Sequence, residues 1–283
     1  MKIVFFGTPE YVLPILTLVH KKFVTGPGKS PIVAVVTASP KPFGRKQFLK
    51  YTAVDKWAHD HKIETHYQSR ELSIDKVEAD FGILASYGEI IPKEVIKLFP
   101  LGILVIHPSL LPKYRGAAPV PETIKNGETI TGGTIFRMDE KVDHGPIITQ
   151  FKEEIRSDDT ADTLRDRIFL KSAQVMVETI PAYTQGKIKA KVQDESEATY
   201  TKMVTREDGF INLDEKTPEE AERFIRAMQT WPGAWTHLSN EKRLKLLKAH
   251  LEEGKLILDE VQLEGKLPVS YKQFKEAYPD LLV

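Results

Sequence analysis

Short apolar segments alternate with helical patterns along the N-terminal part of this 283-residue chain. Apolar runs of this kind are typical of strands buried on both faces, and helices are the usual connections between parallel strands. The pattern predicts repeated βαβ units, a parallel-rich sheet with helices on both faces and an α/β fold class. The predicted strands are Lys2–Phe6, Ile32–Thr37, Phe81–Ala85, Ile103–Ile106, Gly133–Met138 and Ile147–Phe151, and the predicted helices are Val12–Val19, Tyr51–His61, Ile91–Phe99 and Asp159–Gln185.

A polar segment separates this part of the chain from a shorter C-terminal part. Residues 187–207 are rich in polar and charged side chains and keep no sustained hydrophobic period, which is typical of a linker. We therefore expect a first domain of residues 1–186, a linker of residues 187–207 and a small β-rich domain of residues 208–283. The predicted elements of the last domain are helices Pro218–Met228 and Tyr271–Tyr278 and strands Ala234–Leu238, Leu244–Ala249 and Leu256–Val261.

Composition excludes several classes of protein. The chain has no cysteine, so disulfide frameworks, thiol catalysis and thiolate-bound zinc or iron–sulfur centres are ruled out. No apolar run approaches the roughly 20 residues that span a bilayer, and the first run, Lys2–Gly7, is too short for the core of a signal peptide. We expect a cytoplasmic protein that has no membrane partner.

Basic residues are unevenly distributed, although the formal net charge is zero. Residues 11–54 contain no acidic side chain, and residues 39–50 form a predicted loop that combines basic side chains with Phe43. Such a loop suits a phosphate backbone and a stacked base, whereas a solvated lysine-rich loop is the simpler alternative. An anionic ligand would be drawn to this part of the chain first. Its basic residues are Lys21, Lys22, Lys29, Lys41, Arg45, Lys46 and Lys50.

A histidine and a carboxylate lie in two loops that follow predicted strands. His107 begins HPSLLPKYRG after one apolar strand, and Asp143 lies in MDEKVDHGPI after another. An aspartate beside an imidazole fixes its tautomer, so this pair is suited to proton transfer near neutral pH. The simpler interpretations are a buried histidine at the end of a strand and a turn-forming aspartate before Gly145. His144 adds an imidazole without metal-ligand spacing, so we expect no metal.

The first predicted strand-to-helix turn gives no sign of a dinucleotide site. It reads GTPEYV from Gly7 onwards and lacks the G-x-G-x-x-G spacing that places a pyrophosphate on a helix N-terminus. A ligand is still expected beyond the carboxyl ends of the parallel strands, where open α/β sheets bind their ligands.

Seven segments of the chain resemble the methionyl-tRNA formyltransferases and occur in the order of that family. They are MKIVFFGTPEYVLPIL, ASYGEIIP, HPSLLPKYRGAAP, MDEKVDHGPI, DESEATYTKM, REDGFINL and TWPGAWTHL, and they extend over nearly the whole chain. HPSLLPKYRG is shared across folate-dependent formyltransferases, whereas GTPE, EATY, DG-I and WPGA together are much more specific to the enzymes that act on tRNA. The resemblance implies a Rossmann-like formyltransferase domain joined by a linker to an OB-like β-barrel domain.

The resemblance also implies a reaction. The formyl group of 10-formyltetrahydrofolate would move to the α-amino group of methionine on initiator tRNA, with neither a metal nor a covalent enzyme intermediate. His107 and Asp143 would handle protons and orientation. The residues that match the family's donor-binding elements are Tyr87, Gly88, Ile90, Ile91, Pro92, Ser109, Leu110, Leu111 and Pro112.

The partner implied is initiator methionyl-tRNA, and we expect the protein to be a monomer. Arg45 matches the position that reaches into the tRNA acceptor stem, and Lys46 lies beside it. Family members usually carry more residues between the strands near Lys248 and Leu258, and residues 201–283 are slightly acidic. We therefore expect a trimmed barrel and a greater share of the tRNA contact on the Arg45 loop and the linker. The linker lysines are Lys187, Lys189 and Lys191.

One position departs from the family pattern. The family has an asparagine two residues before the histidine, where its amide helps to stabilise the oxyanion, and this chain has Val105. Valine donates no hydrogen bond, and losing one such donor typically costs roughly 10²- to 10³-fold in turnover. His144 is the nearest replacement donor that the sequence offers. Two alternatives stay open: a formyltransferase that acts on a nucleotide-linked amino sugar, and a noncatalytic relative that binds folate or tRNA.

Overall fold

The structure is a computed structural model that describes residues 1–26, 28–44, 47–72 and 78–281. Two residues predicted to contact tRNA, Arg45 and Lys46, lie outside the described residues. Contacts within the chain divide it into two compact units. The first comprises Met1–Arg115, Gly132–Glu153 and Asp166–Thr199, and the second comprises Gly116–Thr131, Glu154–Arg165 and Tyr200–Val283.

Strands and helices alternate in the N-terminal part, as the apolar pattern predicts. The strands are β1 (Ile3–Gly7), β2 (Ile32–Val36), β3 (Lys41–Phe43), β4 (Phe48–Lys50), β5 (Glu64–His66), β6 (Phe81–Ala85), β7 (Ile103–His107), β8 (Arg115–Gly116), β9 (Ile130–Arg137), β10 (Ile147–Glu154), β11 (Tyr200–Thr201), β12 (Ala234–His237), β13 (Arg243–Glu252), β14 (Lys255–Leu263) and β15 (Val269–Ser270). The α-helices are α1 (Leu13–Phe23), α2 (Ala53–Asp60), α3 (Lys93–Ile96), α4 (Pro119–Lys125), α5 (Ala161–Thr184), α6 (Pro218–Met228) and α7 (Tyr271–Ala277). Within the described ranges, no helix has the length and apolar character needed to cross a membrane.

Seven of the described strands form one sheet in the order β10-β9-β7-β6-β1-β2-β5. The pairs β1–β2, β1–β6, β2–β5 and β6–β7 are parallel, and β9 runs antiparallel to β7. The predicted parallel-rich α/β fold is confirmed. Because β6 and β7 are parallel neighbours, the loops that follow them leave the same edge of the sheet side by side.

The central strands place alternate side chains in two apolar cores, one on each face of the sheet. Ile3 and Phe5 pack with α1, α2 and α5, whereas Val4 and Phe6 pack with the residues around α3 on the opposite face. Burial on both faces explains why these strands appear in the sequence as continuous apolar runs. The same alternation on β7 puts Val105 in the second core.

The prediction of a helix at Ile91–Phe99 is wrong in extent, because α3 has only the four residues Lys93–Ile96. Pro92 precedes this helix as its N-cap residue rather than lying in its first turn. Phe99 stands directly before Pro100, and the residue before a proline is disfavoured in helical backbone. The sequence predicts a longer helix because the spacing of apolar residues continues past Ile96, where the helix ends.

The basic segment predicted as a loop contains a β-hairpin. Strands β3 and β4 pair antiparallel, with Phe43 opposite Phe48. Every residue of both strands is exposed, so no alternation between apolar and polar positions marks them in the sequence. Two aromatic side chains consequently stand on the surface beside the basic residues.

The second unit contains an antiparallel sheet in the order β12-β13-β14-β15. Helix α6 begins with a capping box at Thr217 and packs Ala221 and Ile225 against Leu244 and Val261 of this sheet. The predicted small β-rich domain in the C-terminal part of the chain is confirmed, and its strands are antiparallel.

Candidate functional site

The two residues predicted to handle protons lie side by side in the first unit. His107 is the last residue of β7, where it pairs with Thr134 of β9, and Asp143 lies between β9 and β10. Nδ1 of His107 is 3.5 Å from Oδ2 of Asp143, and 7% and 17% of the two side chains are exposed. The fold brings the two groups together, while their catalytic role stays a prediction.

The contacts of His107 restrict where its protons can lie. Nε2 is 2.8 Å from the backbone carbonyl oxygen of Tyr114, and a carbonyl only accepts, so Nε2 carries a proton. In a neutral imidazole, Nδ1 would then be an acceptor that faces the Asp143 carboxylate, a second acceptor. The contact becomes attractive when the pair holds one additional proton. The arrangement can therefore take up one proton and release it again.

The turn that carries Asp143 is closely packed. Asp143 has φ +48°, a left-handed conformation that aspartate adopts more readily than most residues. At Gly145, a Cβ atom would lie 1.9 Å from the carbonyl oxygen of Arg137, so a larger residue does not fit. Nε2 of Gln193 donates to the backbone carbonyls of Asp143 and Gly145, at 2.8 Å each. A residue of the predicted linker thus holds the turn.

Arg115 is a buried charged group whose contacts sequence reasoning missed. Its side chain is 0% exposed, and Nε and Nη2 donate to Oε1 of Gln193 at 3.1 and 2.8 Å. Nη1 and Nη2 donate to the Glu195 carboxylate at 3.0 and 2.7 Å, and these bonds hold the pKa of that carboxyl below its usual range. In the sequence, Arg115 is only one residue of the segment HPSLLPKYRG. Its partners lie about 80 residues further along the chain, where no local pattern identifies them.

Val105 lies in apolar surroundings at the position where the resemblance leads one to expect asparagine. It is 4% exposed and belongs to the same core as Tyr87, Leu111 and Phe136. Its side chain donates no hydrogen bond. A polar amide at this position would face the second core unless it reached a bound substrate.

His144, the suggested replacement donor, contacts two carboxylates. Nδ1 is 2.5 Å from Oδ2 of Asp139, and Nε2 is 3.4 Å from Oε1 of Glu195. Both ring nitrogens are therefore engaged with carboxylates, and donation to an oxyanion would require one contact to open. The role of His144 stays a prediction.

The loop after β6 carries part of the predicted donor site. Tyr87 and Ile91 are buried in the second core, so their side chains shape the loop from beneath. Burial, together with a 3.1 Å hydrogen bond to Glu89, raises the pKa of Tyr87 to about 12. Gly88 has φ +89°, and Ile90 is 92% exposed. The loop thus offers a ligand its backbone and the Ile90 side chain.

The loop after β7 carries the rest of the predicted donor site. The buried Ser109 donates from Oγ to a backbone carbonyl within the loop, at 2.7 Å. Oγ1 of Thr134 donates to the Ser109 carbonyl at 2.6 Å and accepts from the Leu111 backbone at 3.1 Å. Leu110 is partly exposed, and the Leu111–Pro112 peptide bond is cis. Hydrogen bonds to β9 therefore hold this loop in one shape.

The linker lysines predicted to contact tRNA are exposed. They follow α5, and the segment returns to the sheet where Lys191 and Ile147 each donate a backbone hydrogen bond to the other, at 2.8 and 2.7 Å. Their charges are thus carried by an anchored segment. The residues are Lys187, Lys189 and Lys191.

The β3–β4 hairpin borders a cavity of about 900 Å³. Phe43 and Phe48 are exposed on the hairpin, and Nζ of Lys50 lies 5.1 Å from the centre of the Phe43 ring. The cavity also meets the residues that follow β1 and the start of α2. Its lining includes Thr8, Lys41, Lys50, Tyr51, Lys56 and Trp57.

Comparisons of the sequence find formyltransferases over most of the chain. Residues 1–180 match the family described as formyl transferase, and residues 203–256 match the one described as formyl transferase, C-terminal domain. The methionyl-tRNA formyltransferase of Herpetosiphon aurantiacus is 32% identical, with 99% of both chains covered. That of Agathobacter rectalis is 35% identical over 90% of this chain and 81% of the relative.

Solved structures share the fold at lower identity. The methionyl-tRNA formyltransferase of Clostridium thermocellum has a TM-score of 0.63 at 20% identity, with 93% of this chain and 98% of that one covered. An N-formyltransferase of Helicobacter canadensis, solved with folinic acid and dTDP-3-aminofucose, has a TM-score of 0.72 at 19% identity, with 95% and 98% covered. At these identities the likeness concerns the fold.

Proposed function

Because this chain belongs to the methionyl-tRNA formyltransferase family, we propose that it transfers the formyl group of 10-formyltetrahydrofolate to the α-amino group of methionyl initiator tRNA. The observation that carries the proposal is the contact of His107 with Asp143, 3.5 Å apart where β7 ends. Transfer between two nitrogens requires a proton to leave the attacking amine and a proton to reach the departing nitrogen. A pair that takes up and releases one proton serves both requirements.

The exposure of the two side chains suggests which of them the incoming amine contacts first. Asp143 is the more exposed member, so its carboxylate is the group that an incoming amine reaches first. For an α-amino pKa of about 7.7 to 8.0, roughly a tenth of the amine is neutral at pH 7 and about half or more at pH 8, and this neutral form is the nucleophile. As the amine bonds to the formyl carbon, its proton passes to the Asp143–His107 pair; as the bond from that carbon to N10 of the folate breaks, the pair returns a proton to N10. His107 stays fixed through the Tyr114 carbonyl while the proton moves.

The two loops beside this pair fit the formyl donor. The bound 10-formyltetrahydrofolate supplies the one-carbon unit. Residues 87–92 and 109–112 follow neighbouring parallel strands, so they form adjacent walls at one edge of the sheet. The exposed Ile90 offers an apolar surface, and the backbone around it offers hydrogen-bonding groups, a combination that suits a flat heterocycle. Ser109 and Leu111 keep the second wall in place.

The tRNA is proposed to bind through the hairpin and the linker. Arg45 and Lys46 lie outside the described residues, and in the sequence they fall between β3, which carries the exposed Phe43, and β4, which carries the exposed Phe48. Cations suit the phosphates of the acceptor stem, and aromatic rings suit its unpaired end bases. The linker lysines Lys187, Lys189 and Lys191 would extend this contact. The proposed domains are residues 1–186 for formyl transfer, 187–207 as linker and 208–283 for further tRNA contact.

One assay tests the reaction against its alternatives. Purified protein is mixed with 10-formyltetrahydrofolate and charged initiator tRNA, and formylmethionine is scored after hydrolysis of the ester. A nucleotide-linked amino sugar replaces tRNA in a parallel reaction, and Asp143→Asn serves as the control for background transfer. Formylmethionine in the wild-type reaction supports the proposal. Transfer to the sugar alone selects the small-molecule enzyme, and binding of tRNA and folate without turnover selects a noncatalytic relative.

A further inference from the structure

Gln193 belongs to neither of the loops that carry His107 and Asp143. Its side chain nevertheless bonds to the turn that carries Asp143 and to Arg115, the residue after Tyr114, whose carbonyl holds the His107 ring. Nε2 donates to the Asp143 and Gly145 carbonyls, and Oε1 accepts from Arg115. All these groups belong to the first unit. The side chain is buried, and each of its polar atoms has two hydrogen bonds.

The position of the Asp143 carboxylate depends on these hydrogen bonds more than the position of the His107 ring does. His107 ends β7, which pairs with β6 on one side and with β9 on the other, and Tyr114 holds its ring. Asp143 lies in a turn outside the strands, with a left-handed backbone. Its position therefore follows the position of the turn, and Gln193 donates to the carbonyls on both sides of His144 in that turn.

Arg115 fixes which way the Gln193 amide faces. A guanidinium only donates, so its Nε and Nη2 groups select Oε1 of Gln193 and leave Nε2 for the turn. The remaining bonds from Arg115 to Glu195 pair its buried charge. A reversed amide would place its oxygen against two carbonyl oxygens and its nitrogen against a cation.

Both members of the proton-handling pair are thereby positioned from one short segment, Tyr114–Arg115. The Tyr114 carbonyl accepts from His107, and the Arg115 side chain orients Gln193, which holds the Asp143 turn. We infer that Gln193 is a positioning residue that keeps the Asp143 carboxylate facing Nδ1 of His107. The inference rests on the proposed formyl transfer and adds a determinant of its rate.

Two substitutions test the two functions of the Gln193 amide, which donates to the turn and accepts from Arg115. Gln193→Met keeps the length of the side chain and removes both functions. Gln193→Glu keeps acceptors for Arg115 but sets a carboxylate against the two turn carbonyls at neutral pH. A misplacement of about 1 Å can cost roughly 10²-fold in rate, so we expect kcat to fall about 10- to 100-fold in each variant. The KM values for folate and tRNA should change by less than about 3-fold.

A pH profile distinguishes positioning from a general loss of packing. Protonation of the carboxyl introduced by Gln193→Glu restores one donor to the turn. We therefore expect the deficit of Gln193→Glu to shrink at acidic pH, whereas that of Gln193→Met stays constant relative to wild type. Thermal unfolding monitors whether each variant is folded. If Gln193→Met does not fold, the pH-dependent deficit of Gln193→Glu alone decides the question.

A double substitution with Asp143→Asn shows whether Gln193 acts through that carboxylate. In the Asp143→Asn background, Gln193→Met should lower kcat by less than about 3-fold. Equal losses in both backgrounds, or a single variant within about 3-fold of wild type, would overturn the inference. Gln174→Met on the exposed side of α5 is the matched control and should leave kcat unchanged. Absence of wild-type transfer to any acceptor would instead count against the proposed function.

Discussion

Nε2 of His107 lies 2.8 Å from the backbone carbonyl oxygen of Tyr114. This contact commits Nε2 to the scaffold and leaves Nδ1 facing Asp143 at 3.5 Å. Nε2 therefore fixes the imidazole, and Nδ1 is the ring nitrogen that would exchange a proton with the carboxylate in the proposed formyl transfer.

Removing either member of the pair should abolish most of the turnover. Asp143→Asn preserves shape but takes away the charge that stabilises a proton on Nδ1, and His107→Gln removes the imidazole. General acid–base groups contribute roughly 10²- to 10⁴-fold, so we expect kcat for formylmethionyl-tRNA to fall by that factor. Folate binding, followed by fluorescence quenching, should be retained. His59→Gln, at an exposed position of α2, is the control, and activity within 3-fold of wild type in both site variants would contradict the assignment.

Restoring an amide at the Val105 position should raise the rate. One oxyanion donor is worth roughly 10²- to 10³-fold, so Val105→Asn should increase kcat by about 10² if its amide reaches the reacting centre. The same change puts a polar group into an apolar core, so the variant should also unfold at a lower temperature. Val105→Ala introduces no donor and should give no gain. An unchanged formylation rate in Val105→Asn would argue against a missing donor.

The buried part of the fold could be predicted from the sequence because burial leaves a pattern. The strand at Phe81–Ala85 has the predicted bounds, and the one at Ile103–His107 is a single residue longer, since both are apolar runs. The exposed hairpin strands Lys41–Phe43 and Phe48–Lys50 escaped prediction because neither buries a face. The helix at α3 was predicted too long, because apolar spacing continues into turns that precede Pro100.

The candidate site could be predicted only in part, for a related reason. His107 and Asp143 follow predicted strands of one sheet, so the sequence indicates that both lie in loops of that sheet. Because β9 runs antiparallel to β7, strand direction does not by itself predict their contact. The hydrogen bonds of Arg115 with Gln193 and Glu195 connect residues about 80 positions apart and depend on backbone geometry. The linker looked featureless because its order comes from these polar contacts and not from hydrophobic periodicity.

Charge reversal at Arg45 should weaken tRNA binding without affecting folate. Arg45→Glu would remove the proposed contact with a phosphate and add a repulsive charge in a segment that has no acidic residue between positions 11 and 54. We expect a higher KM for tRNA. The slope of log KM against log salt concentration should be smaller by about one. Lys29→Glu makes the same change in net charge elsewhere in that segment and should have a much smaller effect. Unchanged KM and salt slope in Arg45→Glu would contradict this placement.

An ion-pair cluster between β10 and α5 should make the stability of the first unit depend on pH. Glu153 accepts hydrogen bonds from Nε of Arg167 at 3.0 Å and from Nζ of Lys171 at 2.8 Å. Burial acts to raise the pKa of Glu153, but these two cations outweigh it and hold the pKa below the ordinary value of 4.5. A carboxyl whose pKa is lower in the folded state stabilises that state above the unfolded pKa, and the effect disappears as pH falls through the folded pKa.

Glu153→Gln should therefore lower the midpoint of thermal unfolding at pH 7 and lose this effect in acid. The amide oxygen of glutamine can still accept part of the two hydrogen bonds. We therefore expect the free energy of unfolding to fall by about 1 kcal/mol, which lowers the midpoint by about 2 to 4 °C for a unit of this size. The difference from wild type should stay constant above about pH 5.5 and shrink as pH falls from 4.5 through the lowered folded-state pKa, because the wild-type carboxyl is protonated first in the unfolded state and then in the folded state. Glu178→Gln, at an exposed position of α5, should show no such dependence. A difference that does not shrink at all as pH falls below 4.5 would mean that Glu153 contributes through packing and not through its charge.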